Sequence, residues 1–251
     1  MTDKFIMPLL FMTAGAGALI TGIMRRRRAR AFGATPCRAI GSLEKGTWQF
    51  IAGKAHSPVS LVSPVSKTPC VFYLEKIKRY RSPDGYRDRN GGWEELPPNA
   101  YGGFFVRDGS GTALVLPCPE NIDLCKPEAA EDTPLYDITS DTLIKSELII
   151  AADEGVPVLG SPQTFGEFMQ YLRANAELNI PSDLVKELVK MESDPGAGGL
   201  PCFFGAGVDM VADQGYDDYI VRTKSAASLP IQIGGILLIF GASALLYALL
   251  V

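Results

Sequence analysis

Residues 5–30 read FIMPLLFMTAGAGALITGIMRRRRAR, an uncharged run of twenty residues followed by five arginines in six positions. At 1.5 Å per residue, a helix of that length crosses the roughly 30 Å hydrocarbon core of a bilayer. A core helix in a water-soluble protein carries a polar stripe where one face meets solvent, and this run carries none. Residues 229–251, LPIQIGGILLIFGASALLYALLV, repeat the pattern at the other end. Pro8 and Pro230 stand near the segment starts, where a missing N–H matters least. Gly15, Gly17 and Gly22 in the first run, with Gly241, Ala244 and Ala248 in the second, suit close packing of helices.

Two transmembrane helices, 5–24 and 229–251, are therefore expected. The first follows a short outer tail at 1–4 and precedes a basic juxtamembrane linker at 25–35. Arg25, Arg26, Arg27, Arg28 and Arg30 set the orientation, because positive flanks stay on the cytoplasmic side. Only Lys4 supplies a cation before the run. The expectation is a two-pass protein of the plasma membrane, or alternatively of an organelle membrane. Its middle is cytoplasmic and both ends lie outside. A cleaved secretory signal places its positive charge before a shorter apolar run, the reverse of this order. The arginines meet lipid headgroups, and a net charge of -4 speaks against a nucleic-acid partner.

Between the two runs, 36–228 reads as one domain, β-rich over 36–165 and helical over 166–195. Residues 48–52 (WQFIA) form a short strand ending at Gly53, and 70–79 (CVFYLEKIKR) another. The stretch 81–99 is polar, punctuated by Gly and Pro, and reads as an exposed loop. Strands at 104–106 and 112–116 flank Asp108-Gly109-Ser110-Gly111, a hairpin signal. The acidic stretch 120–154 reads as a solvated face. A second hairpin is expected from 143–151 and 156–159 through Asp153-Glu154-Gly155. Phe165, Phe168, Met169 and Leu172 recur at helical spacing. Ser182 caps a further helix whose stripe is Leu184, Val185, Leu188 and Val189, with Asp194-Pro195-Gly196 ending it. Residues 219–223 (YIVRT) read as a last strand. No repeat of fixed period is read beyond a recurring Pro-Cys pair.

These residues, taken in order, resemble the GIDE domain of membrane-anchored RING-type ubiquitin ligases, which also occurs in prokaryotic proteins without a RING. The resemblance runs through Gly53-Lys54-Ala55, Ser63-Pro64-Val65 and Thr68-Pro69-Cys70-Val71-Phe72-Tyr73. It continues with Trp93, Phe105-Val106-Arg107-Asp108, Gly111, Glu147, Val158-Leu159-Gly160 and residues 219–225. It implies an α+β fold, a β-rich module lying against a membrane, flanked by two transmembrane helices. The family's ligase activity belongs to a RING, which needs about eight Cys and His ligands in tight pairs. One His and five scattered Cys cannot supply them. The mitochondrial relatives also place this domain between two membranes, whereas the arginines here indicate the cytoplasm.

The chemistry-bearing residues are sparse. Cys37, Cys70, Cys118, Cys125 and Cys202 form no CxxC pair and read as reduced, buried small hydrophobes. Four of the five follow a proline. His56 reads as a loop or surface residue, although it is the one base a cysteine nucleophile could use. GxSxG, GxxxxGK[ST] and HExxH are missing from the sequence. Glu94-Glu95 and Asp217-Asp218 are adjacent, so on strands each pair points to opposite faces. Expected on this reading are no cofactor, no metal site and no catalytic residue. Membrane lipids and protein partners, or self-association, complete it. The role is that of a membrane-tethered interaction scaffold or accessory subunit. The alternative is a membrane-bound enzyme, a ligase-like transferase or a thiol-dependent hydrolase.

Overall fold

A computed structural model describes residues 3–81, 92–124, 129–130, 142–175 and 177–250. The chain divides into two compact units, one of residues 1–36 with 216–251 and the other of residues 37–215.

The first unit is a pair of long helices, α1 (Asp3–Ala34) and α4 (Tyr216–Leu250). Both are long and apolar enough to cross a membrane, and their apolar side chains are mostly exposed. Where the apolar runs stop, the helices do not. The expected linker at 25–35 is helical through Ala34, and Pro230 lies inside α4 rather than at its start. The strand expected at 219–223 is likewise part of α4, which also carries Asp217 and Asp218 in its first turn. Hydropathy reports the solvent of a segment, and arginine, lysine and alanine all propagate a helix in water as readily as leucine does in lipid.

The helices run antiparallel and meet along a seam of small residues. Pro8, Gly15, Gly22 and Ala29 are the buried positions of this stretch of α1, and Ala227, Gly234 and Gly241 match them on α4. Each set recurs every seventh residue, the period that keeps one stripe facing a partner helix. A Cβ on Gly15 would stand 2.9 Å from the Leu238 amide nitrogen, and one on Gly234 2.6 Å from that of Leu19. Gly17 faces open space, unlike Gly15, Gly22 and Gly241. At the polar end the Tyr216 hydroxyl donates to the Thr35 carbonyl at 3.1 Å, and the Phe32 and Tyr219 rings lie 6.2 Å apart.

The second unit is α+β. Its strands in the first half are β1 (Gln49–His56), β2 (Leu61–Val62), β3 (Pro69–Cys70), β4 (Phe72–Arg81), β5 (Gly92–Glu95), β6 (Asn99–Tyr101), β7 (Phe104–Arg107) and β8 (Thr112–Leu116). They continue with β9 (Ile122–Asp123), β10 (Ala129–Ala130), β11 (Leu143–Ile150), β12 (Gly155–Gly160) and β13 (Gln163–Thr164). After helices α2 (Phe165–Ala174) and α3 (Ser182–Glu192) come β14 (Pro201–Phe204) and β15 (Val208–Ala212). An eight-stranded sheet has the order β13-β14-β8-β7-β1-β12-β15-β9. A second sheet runs β10-β11-β4-β5 with β6 also on β4, and β2 pairs β3. The β-rich part therefore extends past 165, since β14 and β15 return to the large sheet after the helices.

The large sheet is covered on both faces, which explains its continuous apolar runs. Phe104, Val106, Ala113, Val115 and Phe203 enter a core with Phe72, Leu74, Leu148 and Ile150 of the second sheet. Their neighbours Phe105, Leu114, Leu116, Cys202 and Phe204 enter another with Phe165, Phe168, Leu184 and Leu188 of the helices. Helix α2 begins with a capping box. The Thr164 hydroxyl accepts from the Glu167 amide, and the Glu167 carboxylate accepts from the Thr164 amide. Lys45 and Thr164 together hold Glu167 at a pKa of about 2. Helix α3 is capped otherwise than expected. Pro181 is its N-cap with no side-chain bond, Ser182 is the first helical residue, and Val189 is half exposed while Leu184 and Leu188 are buried.

The β7–β8 hairpin forms in register, Phe104↔Val115 to Arg107↔Thr112. The hairpin expected between β11 and β12 does not form. Strand β11 pairs β4 over eight residues, and β12 pairs β1 over six, so the segment between them is a corner connecting two sheets. Asp153 takes a left-handed φ of 62° there, and the Asp153 amide and Glu154 carbonyl bond Ala55 of β1 at 2.7 and 2.8 Å. Strand β1 continues through Gly53 to His56, and part of the loop expected at 81–99 is strand, β5 and the start of β6. Residues 82–91 of that loop, and residues 125–128 (with Cys125) and 131–141 of the acidic stretch, lie outside the described residues.

Candidate functional site

Of the residues that carry the resemblance, the structure gathers Ser63, Pro64, Cys70, Tyr73 and Glu147 into one cluster. Strands β2 and β3 form a short hairpin whose tip, 63–68, closes on itself. The Ser63 amide donates to the Thr68 carbonyl at 3.0 Å, and the Thr68 amide to the Ser63 hydroxyl at 3.1 Å. Lys67 holds a left-handed φ of 56°, with its ammonium on the Pro64 carbonyl at 2.6 Å. Glu147 reaches this tip from β11 and is 1 % exposed. Its Oε2 accepts the Val65 amide and its Oε1 the Ser66 amide, both at 2.8 Å, while the Ser66 hydroxyl adds a third bond. Burial opposes ionisation of Glu147, but these donors outweigh it and hold the carboxyl below the ordinary glutamate range. The carboxylate is an anchor for the hairpin tip.

The thiol beside it is buried. Burial, then the Glu147 charge, push Cys70 up to about 11, far above the range in which thiolate forms at neutral pH. Cys118 is raised by burial and Glu120, and Cys202 by burial alone. Cys70 and Cys202 are buried, as small hydrophobes are, whereas Cys118 is half-buried and Cys37 is exposed. Tyr73 stacks on Tyr101 with centroids 5.2 Å apart.

A second cluster joins Gly53, Asp108 and Gly111. One Asp108 oxygen accepts from the Ser110 amide and hydroxyl at 2.7 Å and from the Gly111 amide at 2.9 Å, and the other accepts the Ile40 amide at 2.9 Å. Burial raises its pKa, but the Ile40, Ser110 and Gly111 donors outweigh that and leave it below the usual aspartate value. Gly53 sits where β1 crosses β7, and a Cβ there would collide with the Arg107 carbonyl oxygen. Replacing Asp108 by alanine is expected to lower stability by about 1–2 kcal/mol, since the half-buried Ile40 N–H loses its acceptor. Chemical denaturation will show it, with Ser110→Ala losing less.

Beside this cluster His56, Lys54, Arg107, Asp108 and Asp153 line a cleft of about 450 Å³. His56 ends β1 rather than lying in a loop. Its Nε2 is 3.3 Å from the Arg107 guanidinium, and its ring is 5.4 Å from that of Phe105. Burial first, then Arg107, lower its pKa. No described cysteine lines this cleft, so the Cys/His pairing that a thiol hydrolase needs is not assembled there. Among the described residues no group of three His, Cys, Asp or Glu is placed to hold a metal.

The remaining positions stand apart. Gly160 ends β12 against the Gly207 carbonyl, too close for any Cβ. Trp93 on β5 is 40 % exposed and edge-on to Tyr80 at 5.3 Å. Glu94 and Glu95 point to opposite faces and meet Arg79 and Lys78 at 3.0 and 2.9 Å. Arg25, Arg26, Arg27 and Arg30 lie along α1. The donors from Val65 and Ser66, the Arg107 partner of His56 and the Lys45–Glu167 pair escape sequence reasoning. Each joins residues about 50 to 120 positions apart, and no local spacing announces it. No protein-family model, curated protein or solved structure matches the chain.

Proposed function

We propose that this chain is a non-catalytic, membrane-tethered interaction module of the GIDE type, a scaffold or accessory subunit held in the bilayer by α1 and α4. One observation carries the reading. Among the described residues, Glu147 and Asp108 are engaged with the chain's own loops and His56 meets Arg107 through Nε2, while large apolar side chains remain on the surface of the second unit. Trp93, Leu143, Val62 and Trp48 are each 40 % or more exposed. Trp93 lies on β5, at the end of its sheet, where an added strand or an aromatic anchor can engage a protein partner. The arginines after the apolar run of α1 favour a cytoplasmic second unit in a two-pass plasma-membrane protein.

Photo-crosslinking from position 93 in cells tests the interaction, and Leu143→Ala is expected to weaken the capture. A single cysteine that reacts far faster than the others with a thiol probe would overturn the non-catalytic reading. For orientation, buried Cys70 cannot report. With Cys37, Cys118 and Cys125 each replaced by serine, so that the described thiols left are the buried Cys70 and Cys202, Val62→Cys at a 62 % exposed position should label with an impermeant maleimide only after permeabilisation. Labelling in intact cells would reverse the assignment.

A further inference from the structure

We infer that the helix pair carries a binding site for the phosphate headgroup of an anionic phospholipid, in a cleft between α1 and α4 at the level where both apolar runs end. The inference rests on reading the pair as a membrane anchor. The cleft has a volume of about 450 Å³. Arg26 and Arg30 line it from α1, one helical turn apart and so on one face, and Lys224 lines it from α4. Ser228 and Gln232 add polar groups, and Ile231 closes the apolar side.

The seam explains why an opening exists. Above it Gly22 touches Ile231 and Gly234 touches Leu19, so the backbones are in contact. At the next seam positions stand Ala29 and Ala227, both 1 % exposed, which form the floor while the flanking side chains rise around it. No carboxylate pairs with Arg26, Arg30 or Lys224 among the described residues. Three cations lining one cleft, with no carboxylate partner among the described residues, make it a favourable place for an anion. Position selects the source of that anion. The cationic side continues into the polar ends of the helices, and the Ile231 side continues into the exposed apolar surface of α4, where Ile236 and Ile239 would flank an acyl chain. A phosphodiester with acyl chains satisfies both sides, and free phosphate only one. Each cation at a membrane surface raises affinity for anionic lipid about fivefold, so three acting together give on the order of a hundredfold.

The test is native mass spectrometry of the full-length chain in neutral detergent, titrated with dioleoyl phosphatidylglycerol, dioleoyl phosphatidylcholine or inorganic phosphate. Phosphatidylglycerol should remain bound at a concentration at least about tenfold below that needed for phosphatidylcholine. The triple variant R26Q/R30Q/K224Q should lose that preference, while R25Q/R27Q, exposed arginines outside the cleft, should keep it. Equal retention of the two lipids by the unmodified chain overturns the site and needs no variant. So does an equal loss in R25Q/R27Q, which would mean diffuse charge attraction. Full displacement by inorganic phosphate would reassign the cleft to the free ion. Failure of the anchor reading looks different, because the chain would then stay in the aqueous fraction without detergent.

Discussion

Replacing Glu147 by glutamine will destabilise the second unit by about 2–4 kcal/mol, a large share of the roughly 5–15 kcal/mol that holds an ordinary domain together. Two backbone N–H groups, of Val65 and Ser66, point at the two different oxygens of this carboxylate. Glutamine offers one oxygen and one NH2, so one amide then faces another donor beside a side chain that is 1 % exposed. An unsatisfied buried donor costs about 1–3 kcal/mol, and the lost charge weakens the bond that remains. Lys67 adds to the penalty, because its left-handed backbone persists only while the tip is pinned. Denaturant unfolding of the full chain in detergent will measure the difference.

The same bond makes a prediction about pH. Glu147 titrates lower in the folded chain than in the unfolded one. Its contribution is therefore complete above the unfolded value, about 4.3, and is lost as pH falls through the folded value. The gap between the parent chain and E147Q should be widest near neutrality and narrow in acid. A gap below about 0.5 kcal/mol, or one equally wide in strong acid, would show that the carboxylate does not hold the tip.

Why this glutamate is reached only through a resemblance is a matter of range. In the segment KSELII a charged residue precedes three apolar ones, which a strand tolerates on a solvated face without comment. Nothing local says that a hairpin tip more than eighty residues earlier folds over it. The corner at 151–154 reads as a hairpin for a related reason. An Asp-Glu-Gly turn between two apolar strands is the same signal whether the strands pair each other or leave for different sheets. The partner of β11 is β4, far back in the chain. Strand existence is legible in runs such as Phe104-Phe105-Val106 and Thr112 to Leu116, because β-branched and aromatic residues flank turn residues. Their two-sided burial is not, since it depends on helices that come later. The helix pair is the most legible element, because lipid leaves no room for polar residues. Its seven-residue seam is far shorter than the periods that mark repeat folds, and it takes on meaning only once a partner helix is set against it.

That seam supplies the other large effect. Gly234→Ile should separate the helices, whereas Gly17→Ile should leave them paired. A Cβ on Gly234 meets the Leu19 amide nitrogen at 2.6 Å and the Gly15 carbonyl oxygen at 2.8 Å. Both are backbone atoms that no rotamer change can move, so the helices must part along several turns of contact. Overpacking typically costs about 1–3 kcal/mol when side chains can give way, and a backbone clash belongs at or beyond the top of that range. A Cβ on Gly17 would have nothing within 4 Å, so isoleucine there adds outward-facing apolar surface without a clash. In lipid or detergent, removal of apolar surface from water contributes nothing to holding two helices together, and close van der Waals approach along small residues is what remains. The thermal midpoint in mild detergent should therefore fall sharply for G234I and stay within a few degrees of the parent for G17I. Equal behaviour of the two variants would mean that the glycines serve helix flexibility or synthesis rather than the seam. It would also remove the floor on which the headgroup cleft is built.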